Sequence, residues 1–133
     1  MKKLFCLLVL FFGFSSAQTQ SESVYTGLIV DARGMDFSPC LSPKIWTTSG
    51  KEVWGTFEVS PEFVNKVGIA GFTKTLEQAK VLTDRGAPNQ FIVKALKVMN
   101  VCEAVISSSD ATRVLLANRK TRFLEAFKVT FLF

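Results

Sequence analysis

The stretch Val24–Ala32, VYTGLIVDA, carries apolar residues on both faces that a strand would present. Val24, Thr26, Leu28, Val30 and Ala32 fall on one side, and Tyr25, Gly27, Ile29 and Asp31 on the other. Side chains of a strand alternate between faces, so this pattern reads as a central strand covered above and below. Gly27, without a side chain, leaves room for another backbone or a ring to lie close. Asp31 and Arg33 stand two apart at the strand end, where a local ion pair is the simplest account of them. A loop, Gly34 to Pro43, follows, with Pro39 and Pro43 unable to donate ladder hydrogen bonds. Lys44–Thr48 and Lys51–Phe57 then read as a hairpin about Ser49-Gly50. A two-residue turn would set Ile45 beside Trp54. A three-residue turn would pair Ile45 with Val53 and bring Trp46 towards Trp54. One residue of slip exchanges the faces, so the sequence leaves open which tryptophan is buried.

Downstream, Ser60-Pro61-Glu62 is a helix start, with a hydroxyl cap, proline at the first helical position and an acid in the first turn. Gly68 supplies its stop. Ile69–Phe72, IAGF, reads as a small-residue connector. Thr75 caps a second short helix with Gln78 as capping-box partner. Asp84–Asn89 is loop chemistry, Phe91–Met99 reads as a strand weakened at Ala95-Leu96-Lys97, and Glu103–Ile106 as a further strand. A longer helix begins at Ser107–Asp110. Ala126–Phe133 alternates, with Phe127, Val129, Phe131 and Phe133 on one face. Strands in groups with helices inserted predict an α+β fold. The expected body is a mostly antiparallel sheet of about five strands, with two short helices and one longer helix on one face, forming a single domain over residues 24–133.

The first residues suggest an address. Lys2 and Lys3 precede the apolar run Leu4–Phe14, and Ser15, Ser16 and Ala17 follow, which is the layout of a secretory signal peptide over residues 1–17 cleaved between Ala17 and Gln18. The run is shorter than the ~20 residues of a membrane span. Residues 18–23 are polar and read as a loose leader. Cys6 departs with the signal, leaving Cys40 and Cys102 as an even pair that an oxidising compartment could join, or as two small buried hydrophobes that never meet. The formal net charge of +5 includes the two signal lysines. The remaining basic residues form no stripe of the kind nucleic acid requires, so no nucleic-acid partner is expected.

Signals for catalysis are scarce. The chain has no histidine, the commonest general base and metal ligand. It has no C-x-x-C, no phosphate loop and no G-x-S-x-G. No catalytic residue, metal site or cofactor is therefore assigned. Asp31 and Arg33 are candidates for contact with an anion or carbohydrate at a strand end, against the plainer reading of an ion pair. An enzymatic role would require Asp31 and Asp36 to face one cleft. Trp46 and Trp54 are candidates for an exposed aromatic patch, against core packing of the hairpin.

The segments YTGLIVDARG, SPKIW, GKEVWG, GIAGF, TLEQA and VISSSDATRVL, followed by a terminal strand, resemble the small exported bacterial LPP-type outer-membrane-associated proteins. That group includes the flagellar accessory proteins FlgP and FlgT. The resemblance implies a non-catalytic envelope protein that self-associates or joins other envelope or flagellar proteins, with peripheral contact at the outer membrane. This chain lacks a lipid-attachment cysteine after the signal. The alternative expectation is a periplasmic module holding a cell-wall or small anionic ligand near Arg33.

Overall fold

The computed structural model of the chain describes residues 23–133. The expected signal peptide, its expected cleavage point at Ala17 and Gln18, and the leader up to Glu22 lie outside the described residues. Two four-stranded sheets form the body. The first is ordered β4-β8-β1-β5, from Gly71–Thr73, Val129–Leu132, Gly27–Asp31 and Gln90–Lys94. All three of its ladders are parallel. The second is ordered β3-β2-β7-β6, from Glu52–Trp54, Lys44–Thr47, Glu103–Ile106 and Lys97–Met99. It is mixed, with β2 and β7 parallel and the two outer ladders antiparallel.

The expected mostly antiparallel α+β body is thus overturned in favour of an α/β architecture with two sheets. The reason lies in which strands meet. Sequence neighbours were expected to pair, but β1 takes β8 and β5 as partners, and such parallel pairs need long crossovers. The helices, too, are not confined to one face. Ala111 and Val114 of α3 (Ser108–Thr121) join the main core with Leu28, Val30 and Phe131. Ala79 of α2 (Leu76–Ala79) packs with Ile29 and Leu132 on the opposite face of the parallel sheet.

Local signals nevertheless set these elements. Ser60 Oγ accepts from the Phe63 amide at the start of α1 (Pro61–Lys66). Thr75 and Gln78 close a reciprocal capping box. Ser107 caps α3 through the Asp110 amide, and Arg122 ends it in the left-handed region. The connector IAGF contributes an edge strand, since Gly71 opens β4. The Phe91–Met99 run is two strands rather than one, belonging to different sheets. Ala95 N donates to Asp31 O of β1 at 2.9 Å, and Leu96 N donates to Val105 O of β7 at 2.7 Å. Successive residues therefore carry the chain from one sheet to the other.

The core is aromatic, and Phe131 is its hub. Its ring, fully buried, stacks on Phe37 at 5.0 Å and Phe72 at 5.9 Å, and tilts against Trp54 at 6.2 Å. Trp54 continues to Phe57, Phe57 to Phe127, and Phe127 to Phe63, joining both sheets and α1 in one chain of rings. Truncating the hub removes both buried area and the contacts that seat three neighbours. Phe131→Ala is expected to cost about 3–5 kcal/mol. Urea denaturation checks this, through a fall in the midpoint at unchanged slope.

Candidate functional site

Val53 decides which tryptophan is available. The hairpin turn spans three residues, with Thr47 N bonded to Lys51 O and Gly50 at φ +90°. Trp46 pairs with Glu52, as that turn requires, yet Ile45 pairs with Trp54 because the register shifts between them. Val53 is the extra residue of the bulge, and bulges re-aim the side chains that follow. Trp54 is thereby turned into the core, 4% exposed, with its indole N–H donating to Leu124 O at 2.8 Å. Trp46 stays half-buried on the outer face of the second sheet. Its indole N–H donates to Glu103 Oε1 at 2.7 Å. With Lys97, Met99, Asn100 and Val105 it lines a shallow cavity of about 290 Å³. The two candidates therefore part company. Trp54→Ala is expected to cost about 3–5 kcal/mol, as for a buried ring, and Trp46→Ala about 1 kcal/mol or less. Urea denaturation of the two variants side by side checks this.

Asp31 and Arg33 are brought together, and they satisfy one another. Arg33 Nε donates to Asp31 Oδ1 at 2.9 Å, Nη2 to Oδ2 at 2.8 Å, and the Arg33 amide to Oδ1 at 3.1 Å. The side-chain bond from Arg33 outweighs partial burial and holds the Asp31 carboxyl below its ordinary value of 3.8. Asp31, Arg33 and Asp36 line none of the principal cavities among the described residues. The geometry is that of a strand-end ion pair closing its own turn. A carboxyl with a depressed folded pKa contributes stability that is complete above its ordinary value and is lost as pH falls through the folded one. Asp31→Asn is expected to lower stability by less than about 1 kcal/mol at pH 7, and by progressively less as pH falls below 3.8. Paired denaturation curves of the variant and the parent chain over a descending pH series provide the check.

Cys40 and Cys102 are joined by a disulfide across 62 positions of sequence. It ties the loop before β2 to the β6–β7 turn, where Val101 takes φ +74°, a strained conformation for a β-branched residue. Closing a loop of that length stabilises by about 4 kcal/mol in the chain-entropy model. Among the described residues no group of three or more His, Cys, Asp or Glu side chains is placed to hold a metal.

Arg85 lies in a stretch read from the sequence as loop and was not singled out there. Its half-buried guanidinium donates to Phe127 O at 2.9 Å from Nη1, and to Val67 O at 2.9 Å and Gly68 O at 3.3 Å from Nη2. It ties the end of α1 to the turn before β8. Burial pulls its pKa below the ordinary guanidinium value, with Asp84 opposing. Glycines make room for it: a Cβ on Gly71 would stand 3.0 Å from Arg85 Cγ, and one on Gly27 2.7 Å from Arg85 O. Gly71 in the GIAGF segment, together with Gly27, was the readable trace of a side chain and a backbone passing close by.

A family model described as Treponema pallidum Tp0624, second domain, matches residues 27–133. No curated protein matches the chain.

Proposed function

Because this chain belongs to the family of the second domain of Treponema pallidum Tp0624, a description that names no activity, we propose its role from its own surfaces. The protein is a non-catalytic, exported envelope component that assembles with further copies of itself at the outer membrane or in the periplasm. The observation that carries this reading is the edge of the parallel sheet at β5. Gln90–Lys94 has β1 on one side and, among the described residues, no strand on the other. Ile92, in its middle, is 46% exposed, and Leu96 just beyond it is exposed as well. Unpaired edges are templates for another strand, and monomeric proteins blunt them by shortness, charge or cover. The opposite edge, β4, is only three residues long. β5 is the longer, and its exposed centre is apolar.

Further support comes from the Cys40–Cys102 bridge, which fits an oxidising compartment, and from the resemblance to LPP-type and flagellar accessory proteins over the same region. No helix among the described residues is long and apolar enough to cross a membrane. Partners are further copies of this chain or other envelope proteins. Light scattering on the purified chain from Gln18 onward is expected to show mass rising with concentration. Ile92→Lys, which sets a charge in the middle of the edge, is expected to shift the assembly to monomer without lowering the urea midpoint. A strict monomer at millimolar concentration sinks the reading.

A further inference from the structure

We propose that the cavity between α1, β4 and the turn carrying Arg85 is a binding site for an organic anion with an apolar body, such as an alkyl phosphate or an alkyl carboxylate. The cavity holds about 800 Å³, the largest of those described and within the ordinary range for small-molecule sites. Its walls are of two kinds. Phe63, Phe72 and Phe127 provide apolar surface, while Lys66, Arg85 and Lys128 provide charge against the one acid, Asp84.

Three cations share one opening here, and Arg85 among them is half-buried with no carboxylate in contact. Arg33, Arg113 and Arg122 each pair with a carboxylate elsewhere on the molecule. Among the described residues neither Lys66, Arg85 nor Lys128 enters an ion pair. Arg85 bonds only to main-chain carbonyls, and Lys128 Nζ donates to Asp84 O at 3.1 Å. Carbonyls satisfy the donors but bring no carboxylate into contact with the charge, which feels Asp84 only from beyond ion-pair distance, and the guanidinium is partly desolvated. An unpartnered hydroxyl lies behind Gly71 of the cavity wall. Thr130 Oγ1 is buried with no hydrogen-bond partner, 3.2 Å from where a Cβ on Gly71 would stand. Two lysines and a fixed guanidinium around one opening suit an anionic head. Three rings suit the body that follows it.

Such a head could come from a free amphiphile or from a lipid in a bilayer, and the experiment separates the two. Amide shifts of the full chain are recorded while octyl phosphate, octanol and inorganic phosphate are titrated in turn. Saturable shifts confined to residues 63–73, 82–85 and 126–128 are expected with octyl phosphate. Octanol and inorganic phosphate are each expected to bind at least tenfold more weakly, since each offers half of the recognised chemistry. The paired variant Lys66→Gln with Lys128→Gln is expected to weaken octyl phosphate at least tenfold. Lys51→Gln with Arg119→Gln, an equal loss of charge elsewhere, is expected to leave it unchanged. Co-sedimentation with phosphatidylglycerol vesicles, lost in the Lys66/Lys128 variant, assigns the head to a bilayer lipid. Octyl phosphate binding without co-sedimentation assigns it to a free amphiphile. The proposal is overturned if octyl phosphate gives no saturable shift, if octanol binds as tightly, or if the Lys66/Lys128 variant binds as well as the parent chain. None of these outcomes depends on whether the protein assembles through β5.

Discussion

The parallel sheet depends on the chain's final strand entering between two others. β8 separates β4 from β1, pairing Val129 with Leu28 and Phe131 with both Val30 and Phe72. Without it β4 would have no neighbour, and β1 would keep only β5. All four residues of β8 are buried, and all but Thr130 are apolar, so both faces of the strand are covered. Phe131 turns one face into the aromatic cluster shared with the second sheet, while Leu132 turns the other towards α2. The hydrophobic gain from these residues is therefore collected on both sides of a single layer, which is why helices are needed above and below it.

Legibility followed distance along the chain. Caps act over three or four residues, and Ser60, Thr75 and Ser107 could be read from their immediate neighbours. The central placement of β1 was legible as well, because burial on both faces writes itself into every residue from Leu28 to Val30. What could not be read was partnership. The pairing of β1 with β8 and β5 joins segments whose local patterns say nothing of each other. Grouped strands with short helices suggested antiparallel neighbours, although burial on both faces already favoured a parallel layer. β4 was hidden because three residues around a glycine carry too little periodicity to mark a strand.

The candidate surfaces show the same division. A single bulge at Val53 separates a structural tryptophan from an accessible one, and periodicity cannot reveal a residue that is skipped. Asp31 and Arg33 were visible because they are adjacent, and adjacency let them neutralise each other. Arg85 was invisible because its partners are main-chain carbonyls of Val67, Gly68 and Phe127, which carry no side-chain signature. The chemistry left over in this protein thus sits where the sequence is quietest.

The crossing at Ala95 and Leu96 has a mechanical consequence. One peptide link separates a backbone donor anchored to β1 from a donor anchored to β7. Tension applied along β5 would reach the second sheet almost at once, with no slack loop to absorb it. The two layers should therefore yield together rather than in sequence, behaving as one stiff plate under load.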